Sequence, residues 1–363
     1  MANLMDAVRY SSPQDQVKKL KSKGLIINNA DYAVHELSVY GYYNIINGYK
    51  RPYTHMADGE RVYNVGVTFE QIHSLFLLDH SIRNSIMAAM LDLEESLRAS
   101  TADVIGKFIS TDHHEYLQKN HYQDRPSRIE KFSTDGILRT LSVNARSGKD
   151  PIRYYSDKYG IIPPWILLKG TYFSTLINYI RILKPNEKSA LIQKMYNIND
   201  QNASMQCTKT FFSSALFVCL DYRNRAAHGG RIYDFDSDHA EYFEKDNEFY
   251  NIFPNFSFIQ SLSGIGRLLA ILAMFTNSNA ASILEESVNV QISRHLSFFP
   301  DDKDVLESLI QTKINVNRVV WVSRNGHIFH VNPTCSGLTD PVQISIDSPE
   351  LKKYTPCKRC CKK

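Results

Sequence analysis

The chain has 363 residues, with 42 Lys and Arg against 38 Asp and Glu and a net charge of +4. That length is ample for a large buried core, and so small a positive excess excludes a polycation that grips nucleic acid over its whole surface, leaving any such contact to local patches. The most aliphatic stretch, Leu262 to Phe275, is interrupted by Ser263, Gly264, Gly266 and Arg267 and falls short of the roughly 18–20 apolar residues of a membrane span. Met1-Ala2-Asn3-Leu4 lacks the basic and apolar regions of a secretory leader, so a cytoplasmic protein without a membrane partner is expected.

Residues 12–50 read as a short helix stopped by Gly24, a second helix over Ala30 to Tyr40 with Asp31 as its N-cap, and a Tyr-rich turn, Tyr40-Gly41-Tyr42-Tyr43. From Thr68 the apolar residues Phe69, Ile72, Leu75, Ile82, Ile86, Met90, Leu93 and Leu97 keep the helical period, which predicts a long amphipathic helix with Glu94 and Arg98 paired at i,i+4. Glu94, Glu95 and Arg98 read as a structural ion pair, solvated or at the core edge, because exposed pairs of this spacing are common and individually weak. Residues 109–150 are polar and irregular. Pro163-Pro164-Trp165 opens a helix expected to run through Leu183, since proline is accepted in a first turn, and another helix is expected over Phe258 to Phe275.

Met205 to Ala227 is the most informative stretch. Phe212, Leu216 and Cys219 form one apolar row at helical spacing and Phe217 and Leu220 a second, so the helix is buried. Arg223 continues the first row, and Asn224 and His228 the second. Polar groups where a core or interface is expected need a partner or an anion; the bland partner for the Arg is a neighbouring carboxylate such as Asp221. Gly229-Gly230 stops the helix with His228 in its last turn, where the dipole favours imidazolium. Asn224 and His228 share a face, whereas Arg223 and His228 do not unless the Arg side chain wraps round.

Residues 318–363 differ in kind. Val319-Val320-Trp321-Val322 and His327-Ile328-Phe329-His330 flank Asn325-Gly326, a strong hairpin signal. His330, Cys335, Cys357 and Cys360 then supply the donors of a tetrahedral structural zinc site, with His327 and Cys361 as substitute ligands. A piece this small needs such a staple. The distribution of cysteines fits metal binding in a reducing compartment. Lys352, Lys353, Lys358, Arg359, Lys362 and Lys363, with no acid among them, make either a phosphate-contacting tail or a solubilising one.

Arg223-x4-His228, with polar Asn224 directly after the Arg, resembles the signature of HEPN ribonucleases. The resemblance implies that Arg223 binds the scissile phosphate, that His228 moves protons between the 2′-hydroxyl and the leaving oxygen, and that no metal is used. The chain holds one such motif, so a two-motif site implies a homodimer. Taken in order, Gln16 to Ile27, Tyr40-Gly41-Tyr42-Tyr43, Phe69 to Asp79, Leu93 to Ala99, Pro163-Pro164-Trp165 and Tyr222 to His228 resemble the Abi family of phage-resistance proteins of the AbiD and AbiF type, over roughly residues 12–275. One departure is Lys169, where that family usually has Glu. The C-terminal segment resembles small Ada-like metal-binding modules.

Together these readings predict a mostly α protein: a HEPN-type helical bundle with an N-terminal helical extension over residues 1–300, and a C-terminal β-hairpin and zinc module over 318–363. The expected activity is a metal-independent endoribonuclease in abortive phage defence, with catalytic Arg223, Asn224 and His228 and RNA contacts at Arg225, Arg231, Lys352, Lys353, Lys358 and Arg359. The alternative is a non-cleaving protein that holds or senses a structured small RNA. A zinc-dependent enzyme is disfavoured, because a site of three Cys and one His leaves no open position for water.

Overall fold

A computed structural model describes residues 10–57, 59–239, 252–253, 262–310, 319–324, 326–330, 335–345 and 349–361. The described residues are mostly helical, with only small sheets. They divide into two compact units, one built from residues within 1–82, 287–308 and 313–363 and the other from residues within 83–286 and 309–312.

The first unit begins with α1 (Pro13–Ser22) and α2 (Ala30–Tyr40). Ser12 caps α1 through Asp15 N–H. The cap of α2 is Asn29, whose side chain accepts from Tyr32 N–H, not the expected Asp31; at the position before the helix an Asx oxygen reaches the free amides, whereas Asp31 already lies in the first turn and acts through its charge. A hairpin follows, β1 (Thr54–Ala57) and β2 (Glu60–Tyr63). Then comes α3 (Phe69–Phe108), which continues well beyond the predicted Leu97; the first unit ends within it at Ile82. Buried Asp302 draws this unit together, accepting from Tyr53 Oη at 2.7 Å, Gln71 Nε2 at 2.7 Å and His295 Nε2 at 2.7 Å. Such a carboxylate is tolerable inside because several donors satisfy it.

In the second unit the stretch expected to be irregular contains α4 (Thr134–Ala145). Ser133 caps it and Ile137, Leu138 and Leu141 are buried, a short apolar stripe that polar flanks obscured. The helix expected from Pro163 to Leu183 is broken: Pro164–Leu167 is helical, Leu168–Gly170 is a 3-10 turn, and α5 (Phe173–Ile182) starts afresh. The backbone leaves the helix at Thr171 and Tyr172 in extended conformation, and the Thr171 carbonyl this frees is taken by Arg98 Nη2 at 2.9 Å. Next come α6 (Pro185–Tyr196), α7 (Gln206–Ala227) and α8 (Gly264–Ala273). Of the helix expected over Phe258 to Phe275, residues 258–261 lie outside the described ones. Helix α7 packs against α5, α6 and α8 and buries Phe211, Phe212, Ala215, Leu216, Val218, Cys219 and Tyr222, as the two apolar rows require.

The chain returns to the first unit along α9 (Asn279–Phe298), and α10 (Lys303–Ile310) follows. The C-terminal segment forms a sheet in the order β5-β3-β4-β6, from β3 (Val319–Ser323), β4 (Ile328–His330), β5 (Pro341–Ser345) and β6 (Thr355–Pro356). The predicted hairpin pairs Trp321 with His330 and Val322 with Phe329; Asn325 of the expected Asn-Gly signal lies outside the described residues. Val320, Val322 and Ile344 make a small core with Phe329, Leu351 and Tyr354 packed on it.

Candidate active site and metal centre

The end of α7 is a two-glycine stop. Gly229 has φ of 70°, a left-handed conformation that glycine adopts without a Cβ penalty. Its N–H donates to Ala226 O at 3.2 Å, and Gly230 N–H donates to Arg225 O at 2.8 Å; this bond pair closes a Schellman motif. His228 is therefore the C-cap itself, not a last-turn residue, with its N–H on Asn224 O at 3.0 Å and its side chain exposed. Arg83 Nη1 donates to Gly229 O at 2.6 Å and so anchors the turn to α3. A Cβ on Gly230 would come within 2.7 Å of the Arg225 side chain. That chain folds back over the turn, donating from Nε to Arg231 O at 2.9 Å and lying 4.8 Å above the Phe235 ring.

Asn224 and His228 line one recess of about 560 Å³, together with Arg225, Phe235 and His239, in keeping with their i,i+4 spacing. The wall also carries Asp221, Asp236 and Asp238. Asp221 accepts from the Ser237 hydroxyl and pairs with His239 at 2.8 Å, and Asp236 pairs with Arg267 at 3.1 Å. Arg223 is not part of this wall. Its Nε lies 3.5 Å from Glu94 Oε1, and Arg98 Nη2 lies 2.6 Å from Glu94 Oε2. Asp221 is thus not its partner. The Glu94 side chain is only 4% exposed, against 29% for Arg223 and 22% for Arg98. Two guanidinium groups therefore share one buried carboxylate, with the Thr171 carbonyl as a further acceptor for Arg98.

This cluster bears out the Glu94–Arg98 pair, which lies at the core edge beside the motif Arg, and corrects one expectation: the carboxylate that Arg223 meets is Glu94 of a distant helix rather than neighbouring Asp221. The i,i+4 spacing within α3 revealed the pair, but nothing local in the sequence linked it to α7. Arg83 and His239 carried no sequence signal at all. Lys169 is exposed. Arg225 and Arg231 are engaged close to the motif, Arg231 Nη2 lying 3.6 Å from Asp234. In the first unit Lys352, Lys353, Lys358 and Arg359 are exposed, with Arg359 Nη1 donating to Ser336 Oγ at 2.8 Å; Lys362 and Lys363 lie outside the described residues.

Parallel pairing of β6 with β4 brings the two halves of the metal-ligand set together: Thr355 N–H donates to His327 O at 2.8 Å and Cys357 N–H to Phe329 O at 2.9 Å. The donor atoms of His330, Cys335, Cys357 and Cys360 all lie within 4.8 Å of one another. Cys335 Sγ is 3.9 Å from Cys357 Sγ, and Cys360 Sγ is 3.6 Å from His330 Nδ1. A tetrahedral zinc with bonds of about 2.3 Å to sulfur and 2.0–2.1 Å to nitrogen would set these separations near about 3.8 and 3.6 Å, so the four residues fit such an ion. The amides of Cys360 and Arg359 point at the Cys357 sulfur and hold its thiol down to about 7, favouring the thiolate a metal requires. Cys361 instead donates its S–H toward Phe329 O at 3.5 Å, and His327 is exposed and outside the cluster.

Sequence comparison adds one decisive match: residues 35–234 fit the family described as Abi-like protein. The chain belongs to the Abi-like protein family. That match covers α3, the Glu94 cluster and the whole of α7 with its two-glycine stop, so the motif lies within the region characteristic of Abi-like proteins. The C-terminal metal-ligand cluster lies outside it. No curated protein and no solved structure matches the chain. No helix among the described residues of this Abi-like protein is long and apolar enough to cross a membrane.

Proposed function

We propose that this protein serves in abortive-infection phage defence as a metal-independent endoribonuclease of HEPN type, its site formed at the end of α7. Family membership supports the defence role. The nuclease reading rests above all on the helix end: a Schellman stop that exposes His228 beside Asn224 on one recess, with Arg223 on the adjacent face. RNA carries its own nucleophile, so the protein need only position the strand and balance charge. In the proposed reaction the 2′-oxygen forms a bond to phosphorus as its proton passes to a base, and the P–O5′ bond breaks as an acid protonates O5′. The product ends are a 2′,3′-cyclic phosphate and a 5′-hydroxyl. His228 is the proton carrier, and Arg223 binds the phosphate through its two-pronged donor geometry.

Arg223 and the Asn224–His228 recess occupy different faces of α7, which favours a homodimer in which two copies of the motif meet. The C-terminal module is proposed to fold as a separate piece over residues 318–363, to hold one structural zinc through His330, Cys335, Cys357 and Cys360, and to present Lys352, Lys353, Lys358 and Arg359 to RNA phosphates. Cleavage assays with EDTA, with 2′-deoxy substrate and with His228→Ala test the reading. Activity should survive EDTA and vanish in the other two cases; cutting of a fully 2′-deoxy strand would refute the mechanism. The three carboxylates on the recess wall weigh against a phosphate entering it; under the second reading, a protein that holds a structured RNA elsewhere on its surface without cutting it, a discrete intact RNA co-purifies.

A further inference from the structure

Away from the end of α7, in the same unit, lies a cavity of about 360 Å³ on whose wall four cationic side chains converge: Arg125, Arg181, Lys188 and Lys209. They come from four places in the chain. Arg125 is held nearby because Gln123 N–H donates to Ile182 O at 2.9 Å, which fastens its segment to the end of α5. Arg181 is in the last turn of α5, Lys188 near the start of α6, and Lys209 in the first turn of α7. Among the described residues no carboxylate lines this cavity. The polar contacts of Arg181 and Lys188 are to neutral groups: Arg181 Nη1 donates to Asn178 Oδ1 at 3.1 Å, and Lys188 Nζ to Arg181 O at 2.9 Å.

Pro185 and Gln206, the first residues of α6 and α7, also line the cavity. Two helix N-termini thus meet at one place, and their cap residues, Lys184 and Met205, make no side-chain capping bond. Each such end carries about half a positive charge and a set of amides without intrahelical acceptors. Thr210 and Ser213 add hydroxyl donors to the wall. Lys188 bears the consequence: burial first, then the neighbouring charges of Arg125, Arg181 and Lys209, push its ammonium down to about 8. Like charges gathered on a wall that no carboxylate among the described residues lines cost stability unless an anion enters.

We propose that this cavity is a binding site for a compact polyphosphate, with a nucleoside triphosphate as the ligand class. A cavity of this volume falls within the usual range for small-molecule sites, about 300–1,000 Å³. Its cations surround one point instead of tracking a stripe, which suits three linked phosphates better than the single charge per nucleotide of an RNA strand. The site is separate from the recess bearing Asn224 and His228, and it does not depend on the nuclease reading.

Calorimetric titration of the full-length protein, without divalent cations, tests the proposal with inorganic tripolyphosphate, ATP, adenosine and a single-stranded RNA dodecamer as probes. Tripolyphosphate and ATP should bind at micromolar concentration and adenosine should not; tighter binding of ATP than of tripolyphosphate would add recognition of the nucleoside. Arg181→Gln combined with Lys188→Gln should weaken binding of both at least tenfold. Lys209→Gln, a change in a first helical turn that leaves the core untouched, should weaken it several-fold with an unchanged circular dichroism spectrum. Lys149→Gln, at an exposed residue outside the cavity, should leave it unchanged. The proposal is overturned if neither polyphosphate binds, if the variants bind as wild type does, or if only the RNA dodecamer senses these substitutions.

Discussion

Replacing Glu94 by Gln removes one negative charge from between two guanidinium groups and keeps the side chain's shape. The 2.6 Å bond to Arg98 is of the charged kind, worth about 1.5–3 kcal/mol, and the 3.5 Å pair with partly exposed Arg223 adds up to about 1 kcal/mol. Gln also turns an amide N–H₂ toward a guanidinium, donor against donor, so the total loss should be about 2–4 kcal/mol. For a unit of this size that lowers the unfolding midpoint by on the order of 5–10 °C. Scanning calorimetry of Glu94→Gln, Arg223→Gln and the double variant gives the coupling directly, because contacting residues are non-additive. The double variant should be less destabilised than the sum of the two singles, and Glu94→Gln should also cut RNA more slowly, since Arg223 loses its anchor. A wild-type midpoint together with wild-type cleavage in Glu94→Gln would refute the view that this carboxylate organises the motif.

His228→Ala should abolish cleavage at a stability cost of no more than about 1 kcal/mol, because an exposed C-cap histidine contributes chiefly through the helix dipole; a variant that cuts at the wild-type rate removes His228 from the mechanism. Mixing Arg223→Ala with His228→Ala protein should restore part of the activity if two chains share the site, and light scattering that finds only an active monomer would exclude that arrangement. Folding lowers the Cys357 thiol from its ordinary value near 9 to about 7, so its contribution to the metal-free module is complete above pH 9 and is lost as pH falls through 7; bound zinc should likewise leave on acidification, as elemental analysis of dialysed samples would register. Gly136→Ala should destabilise the second unit by about 2–3 kcal/mol or more, because a Cβ there would meet the Glu130 carbonyl oxygen at 2.0 Å; urea unfolding measures this, and an unchanged midpoint would contradict the close packing of α4.

What could be read from the sequence was what local pattern encodes. The apolar rows of α7 placed its core face, Gly229 and Gly230 marked its end, and the positions of His330, Cys335, Cys357 and Cys360 identified four donors that the fold brings together. Misreadings arose where the deciding partner is distant in sequence. Nothing near Arg223 indicates that Glu94 of α3 would take it in place of adjacent Asp221, and nothing near Thr171 indicates that its carbonyl would be claimed by Arg98. Helix α4 was hidden by composition, its few buried apolar residues being too sparse to stand out among polar neighbours. The cation-lined cavity gave no signal because its four charges lie in four separate segments, each unremarkable alone.

The sharing of Glu94 is unequal, and the inequality gives the motif Arg a latch. Arg98 holds the carboxylate at hydrogen-bonding distance, while Arg223 sits nearly an ångström farther away and is the more exposed of the two. Should a phosphate approach, Arg223 can swing toward it without stranding an unneutralised carboxylate in the protein, because Arg98 stays behind. Under the proposed nuclease reading the cluster would therefore keep a guanidinium at hand that is inexpensive to release, a property that replacing Arg98 would remove even though Arg98 would not itself contact the strand.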